Sequence, residues 1–199
     1  PLIQSTYLGG TLLDYANSVS YSEGYVYLAG HCYSTDFPGT AGGYQQTLAG
    51  EGTTDVVVSK LSADLKQVVQ STYIGGSSYD QAQSLAVSGG YVYVAGTTHS
   101  SDFPGTVNGA QSTFGGGDYD AFVSKLSADL TQLVQSTYIG GSGYDQAYSL
   151  AVSGDYVWVA GETWSTIFPG TAEGAQSTFG RWDHDAFVSK LNTNLTQFV

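Results

Sequence analysis

Hydrophobic and polar residues alternate in short stretches of this chain, and the stretches recur. Residues 83–88 read Gln-Ser-Leu-Ala-Val-Ser and residues 91–97 read Tyr-Val-Tyr-Val-Ala-Gly-Thr. Residues 120–126 read Asp-Ala-Phe-Val-Ser-Lys-Leu, and a fourth stretch spans 132–139. A period of two is the signature of half-buried β-strands. Gly89-Gly90 and residues 127–130 supply turns between them, and 98–119 forms a long Gly-, Pro- and Ser-rich connection. No useful length carries the 3.6-residue period of an amphipathic helix. The four strands are named A to D in the order given.

The same pattern appears three times. Gln-Ser-Thr-Tyr recurs at Gln4, Gln70 and Gln135, Phe-Pro-Gly-Thr at Phe37, Phe103 and Phe168, and Ser-Lys-Leu at Ser59, Ser124 and Ser189. Units of roughly 4–69, 70–134 and 135–199 therefore form one repeat array, and the last two agree at 48 of 65 positions. The first unit carries one extra residue within 49–54. Three all-β units of four antiparallel strands predict β-propeller blades. An open β-solenoid is the competing architecture.

The order of strands predicts more. Residues 2–8 read as a D strand ahead of the first A strand, and 197–199 begin another D strand. Three blades are too few for a ring, since propellers usually have about four to eight. Two copies exchanging D strands would close six blades, and the alternative is a portion of a longer chain. The absence of Met reads as a processed or partial product.

The repeats resemble the bacterial β-propeller repeat family known as SBBP. Ser-Thr-Tyr-Ile-Gly-Gly, Tyr-Asp-Gln-Ala, Tyr-Val-Tyr-Val-Ala-Gly, Asp-Phe-Pro-Gly-Thr and Asp-Ala-Phe-Val-Ser-Lys-Leu carry the resemblance. The first unit departs most, with Leu13-Asp14-Tyr15-Ala16 and Asp55-Val56-Val57-Val58. The resemblance implies a propeller of secreted and surface proteins and no shared catalytic residues.

Charge narrows the function classes. Five Lys and Arg against 17 Asp and Glu give a net charge of −12. That argues against nucleic acid, which needs clustered basic residues, and against anionic membranes. No apolar run approaches the ~20 residues of a membrane span. Cys32 is the only cysteine, which excludes an internal disulfide and reads as a buried, inert thiol.

The repeated residues read as structure. Asp14, Asp80 and Asp145 precede strand A, and Asp55, Asp120 and Asp185 open strand C. They are expected to bind turn N–H groups, with calcium ligation as the competing reading. No cofactor and no metal ligand set is assigned. Lys60, Lys125 and Lys190 in strand C are expected to pair with Asp. Tyr91 and Tyr93, like Tyr156 and Trp158, share one face of strand B and are expected between blades.

Residues that differ between units are the candidates for contact. They concentrate in the D–A and B–C connections, which strand alternation brings to one rim. Tyr33, His99, Tyr119, Trp164, Trp182 and His184 collect there. Aromatic anchors of this kind suit protein contacts, and rings beside Asp and Asn also suit sugars. No nucleophile elbow, zinc spacing or distinctive carboxylate pair marks a catalytic residue. The sequence therefore predicts a non-catalytic extracellular or cell-surface interaction module. A lectin is the alternative, and a glycoside-active enzyme comes third.

Overall fold

The computed structural model of the protein describes residues 3–180 and 183–199. Among these residues the fold is all β, with three antiparallel sheets. The first contains β1 (Asp14–Ser22), β2 (Tyr25–Cys32), β3 (Asp55–Ser62) and β4 (Val68–Ile74). The second contains β5 (Asp80–Ser88), β6 (Tyr91–Thr98), β7 (Asp120–Ser127) and β8 (Leu133–Ile139). The third contains β9 (Asp145–Ser153), β10 (Tyr156–Thr163) and β11 (Asp185–Asn192). Strand A begins three residues earlier than its alternation predicts. Asp80, whose backbone N donates to Thr54 of the previous blade, opens it.

The D strand expected over residues 2–8 is not formed. Leu2 lies outside the described residues, and residues 3–10 belong to no strand. The alternation is present, but a strand also requires an edge to bond, and none reaches this segment. Tyr7 is fully exposed, whereas its repeat equivalents Tyr73 and Tyr138 are 0% exposed.

Adjacent blades meet through their A strands, β1 against β5 and β5 against β9. A bulge in β1 between Ala16 and Ser18 turns the Ser18 hydroxyl outward, where it accepts from Leu85 N at 3.0 Å. The bulge in β5 places Ser84 on Leu150 N at 3.1 Å. The bulged strand also crosses low over its neighbour: a Cβ at Gly96 would collide with the Gln81 backbone carbonyl. Gly96→Ala is therefore expected to lower stability by about 1–3 kcal/mol, the cost of overpacking a filled site, as read by thermal unfolding.

Apolar side chains fill the seams between sheets. Val56 and Val58 of the first blade join Leu85, Val92, Phe103 and Phe122 of the second in one buried cluster. Tyr93, Val123 and Ile139 join Leu150, Val157 and Phe187 in the next. The Phe-Pro-Gly-Thr segments contribute Phe103 and Phe168, which lie 4.5 and 4.6 Å from Phe122 and Phe187. Cys32 is fully buried, and burial with the charges of Asp14 and Asp55 pushes its thiol far up.

Among the described residues, Lys60, Lys125 and Lys190 do not pair with Asp; the one Lys–Asp pair is Lys66 with Asp64, at 3.8 Å in a turn. Lys60 and Lys125 lie over the rings of Tyr25 and Tyr91, each 4.1 Å from the centroid. Each then donates across the seam, Lys60 to Ala128 O at 3.2 Å and Lys125 to Thr193 O at 3.0 Å. Burial lowers the Lys125 ammonium below its ordinary value. A cation–π contact plus a carbonyl satisfies the charge where no carboxylate faces it. The strand B aromatics do reach between blades, as expected. Tyr27 and Tyr93 hydroxyls donate to the same two carbonyls, at 3.1 and 3.3 Å.

Candidate functional site

Aspartates organise the rim. Oδ2 of Asp14, Asp80 and Asp145 accepts from the backbone N of Gly10, Gly76 and Gly141, each at 2.8 Å. The same oxygens accept from Ser34, Ser100 and Ser165 hydroxyls. Asp55, Asp120 and Asp185 accept from the backbone N of Ala49, Gly115 and Gly180. These bonds tie each D–A connection and each B–C connection to the start of the strand it leads into.

The carboxylates also approach one another across the seam. A Cβ at Gly140 would lie 2.5 Å from Asp120 Oδ1 and 2.8 Å from Asp145 Oδ2, so glycine leaves room for both. Oδ1 of Asp14, Asp55, Asp80, Asp120 and Asp145 is buried without a hydrogen-bond partner. Burial drives the carboxyls of Asp80 and Asp120 up to about 7 and that of Asp55 to about 6. The neighbouring carboxylate adds to the rise at Asp80 and at Asp120. Among the described residues, no three side chains of metal-ligating type converge on one point.

Above this row the rim carries a continuous line of aromatic rings. Tyr79 meets His99 at 6.1 Å between centroids, and His99 meets Tyr119 at 5.1 Å. Tyr119 stacks on Tyr144 at 5.0 Å, which carries the line from the second blade to the third. Tyr144 meets Trp164 at 5.6 Å, and Trp164 stacks on His184 at 5.7 Å. The second and third blades each supply the residue before strand A, the residue after strand B and the residue before strand C. Antiparallel order puts those three positions side by side.

Four candidates are thus brought together: His99, Tyr119, Trp164 and His184. Tyr33 occupies the matching place in the first blade, half-buried, with its backbone N donating to Leu13 O at 2.9 Å. It makes no ring contact with the line, because Leu13 and Thr54 stand where the other blades carry rings. In the first blade His31 stacks instead on Tyr15 at 4.6 Å. Trp182 lies outside the described residues. The line includes two residues that do not differ between units. Tyr79 and Tyr144 are identical in both units, and only their place before the repeated Asp signals the rim.

The strip is acidic at its edge, with Tyr119 and Tyr144 half-buried and its other rings exposed. Trp164 is 41% exposed and Tyr79 also 41% exposed. Hydrogen bonding and charge from Asp118 raise the Tyr144 phenol above its ordinary value. Burial first, then Glu162, pushes the Tyr148 phenol up to about 12. Burial lowers the His99 imidazole, against the opposing pull of Asp118.

Comparison with known proteins accords with this construction. Residues 71–104 match SBBP, the β-propeller repeat, from the end of one blade into the next. That stretch is a β-propeller repeat by its match, and the other two sheets repeat its strand pattern. The β-propeller signal is joined by a match of residues 145–163, strands β9 and β10, to the LVIVD repeat. No curated protein matches. Among solved structures, the phage phi92 endosialidase is similar over 87% of this chain at 17% identity and a TM-score of 0.43. The match covers 26% of that chain, so this chain spans about a quarter of its length.

Proposed function

We propose that this chain is a non-catalytic interaction module of the cell exterior, with the aromatic strip as its contact face. The observation that carries the proposal is the unbroken line from Tyr79 to His184 on a rim whose loops hold most of the differences between units. The residues buried between blades, such as Phe103, Phe122 and Tyr138, are mostly repeated ones. Among the varied rim residues, His99, Trp164 and His184 are aromatic and exposed, which is the composition of contact hot spots. The extracellular assignment rests on the SBBP resemblance.

Stacking within the strip favours a protein over a sugar. Tyr119 and Tyr144 cover one another's faces at 20°, and Trp164 and His184 do so at 16°. A sugar platform needs a free ring face, whereas a protein anchor can use edges and phenol hydroxyls. Asp118 and Glu162 beside the rings, and the net charge of −12, suit a partner with a basic surface.

A glycan array run beside capture of proteins from extracellular fractions separates the readings. The expected outcome is a captured protein with no selective glycan, and loss of that protein with Trp164→Ala. Selective glycan binding lost with the same variant would replace the proposal with a lectin. Glycoside hydrolysis abolished by one Asp→Asn change would replace it with an enzyme.

A further inference from the structure

Three departures from the repeat meet at one corner of the rim. The second and third units agree at 48 of 65 positions, yet Ser78 gives way to Gly143, His99 to Trp164 and Asp102 to Ile167. The fold sets these three together. A Cβ at Gly143 would lie 2.6 Å from Trp164 O, and a Cβ at Gly141 would collide with Ile167 O. Trp164 and Ile167 therefore lie on one D–A connection, and glycine at 143 lets the Trp164 backbone rest directly on it. We propose that Trp164 and Ile167 form the apolar end of the contact strip. It takes an apolar side chain from a segment of the partner protein whose Arg or Lys residues lie toward the second blade. This rests on the strip being the contact face.

At position 167 the third blade lacks a bond that the other two make. Asp36 Oδ1 accepts from Thr11 N and the Thr11 hydroxyl at 2.9 and 3.1 Å. Asp102 Oδ1 accepts from Ser77 N and the Ser77 hydroxyl at 2.9 and 3.0 Å. Ser142 holds that place in the third blade, and an isoleucine side chain offers it no acceptor. Burial does not offset the loss, since Ile167 is 83% exposed. Trp164 keeps 41% of its surface exposed although it stacks on His184. The exposure belongs to the position: His99 and Asp102, in a blade with a neighbour on each side, are exposed as well. A partner that covers the corner removes this apolar surface from water, which the free chain does not do.

The rest of the strip supplies charge. Asp102 and Asp118 are exposed on the second blade, and Glu162 is half-buried near Tyr119. None of the three carboxylates has a cationic partner among the described residues. Unpaired carboxylates toward the second blade and bare Trp and Ile on the third complement a segment that is basic at one end and apolar at the other.

Short random peptides displayed on phage and selected on the wild-type chain test this. The expected peptides carry Leu, Ile, Val or an aromatic residue beside Arg or Lys, and Ile167→Asp weakens their binding about tenfold or more. The added carboxylate would tighten a contact made by charge alone, so the loss reports the apolar anchor. Ile167→Asp also restores the residue of the other two blades, and its thermal midpoint stays at or above that of the wild type. Ile167→Val, which keeps an apolar side chain, binds as the wild type does. Peptides that lose affinity with Trp164→Ala but not with Ile167→Asp overturn this inference and leave the strip as the contact face. Selection of no peptide, or of peptides indifferent to both variants, overturns the inference and the strip together.

Discussion

Acidification from about pH 8 to about pH 5 raises the thermal unfolding midpoint of this chain. The folded carboxyls of Asp55, Asp80 and Asp120 are raised by burial to about 6, 7 and 7 from an ordinary 3.8. Between those values the folded chain holds protons that the unfolded chain has released. The stabilisation is therefore fully present below about pH 4 and lost as pH rises through about 6 to 7. Each group contributes up to roughly 1.4 kcal/mol per pH unit across its window, so three together give several kcal/mol. Asp36, Asp64, Asp102 and Asp129 act with the opposite sign. Hydrogen bonds lower their carboxyls, and their support fades below about pH 4. Stability should peak near pH 4–5, below the usual optimum. Asp120→Asn, which keeps the shape without the charge, should flatten the neutral limb. A midpoint that rises from pH 5 to pH 8 would show that these carboxylates are compensated when charged.

Phe122→Ala is the substitution expected to cost most, about 3–5 kcal/mol. Phe122 is 0% exposed and belongs to the cluster that joins the first and second blades. Its ring meets Phe103, which brings the long B–C connection down onto the sheet. Loss of the ring leaves a cavity and also releases that connection, which carries His99 and Tyr119 to the rim. Urea unfolding should show a midpoint shift of that size, and His99–Tyr119 proximity should loosen with it. A loss under about 1 kcal/mol would mean that the seam collapses around the gap and does not depend on one large side chain.

The architecture was legible because two signals coincide. Alternation at Tyr91–Thr98 and its equivalents marks strands, and the 65-residue repeat says that each strand recurs in the same setting. Strand pairing was less legible. Residues 3–8 carry the same pattern as β4 and β8, but pattern alone does not create the edge that a strand bonds.

The site was legible in half. His99, Trp164, Tyr119 and His184 announce themselves by differing between units. Tyr79 and Tyr144 bridge them and do not differ, since a residue can pack a rim and face outward at once. The partners of Lys60, Lys125 and Lys190 are hidden for a related reason. Scarce charges invite a search for opposite charge, yet Lys60 finds the Tyr25 ring and a carbonyl of the next blade. Neither partner is visible in the local sequence, because the repeat places one a strand away and the other a blade away.

The central claim is that the chain meets its partner through the aromatic strip. Its most direct test is the affinity of a captured partner for the wild type, Tyr144→Ala, Trp164→Ala and, as a control, Thr131→Ala on the opposite rim. The account predicts that each strip variant weakens binding by about tenfold or more, the scale of a hot-spot anchor, while Thr131→Ala leaves it unchanged. Equal affinity for all four proteins would contradict it and move the contact to another face of the blades.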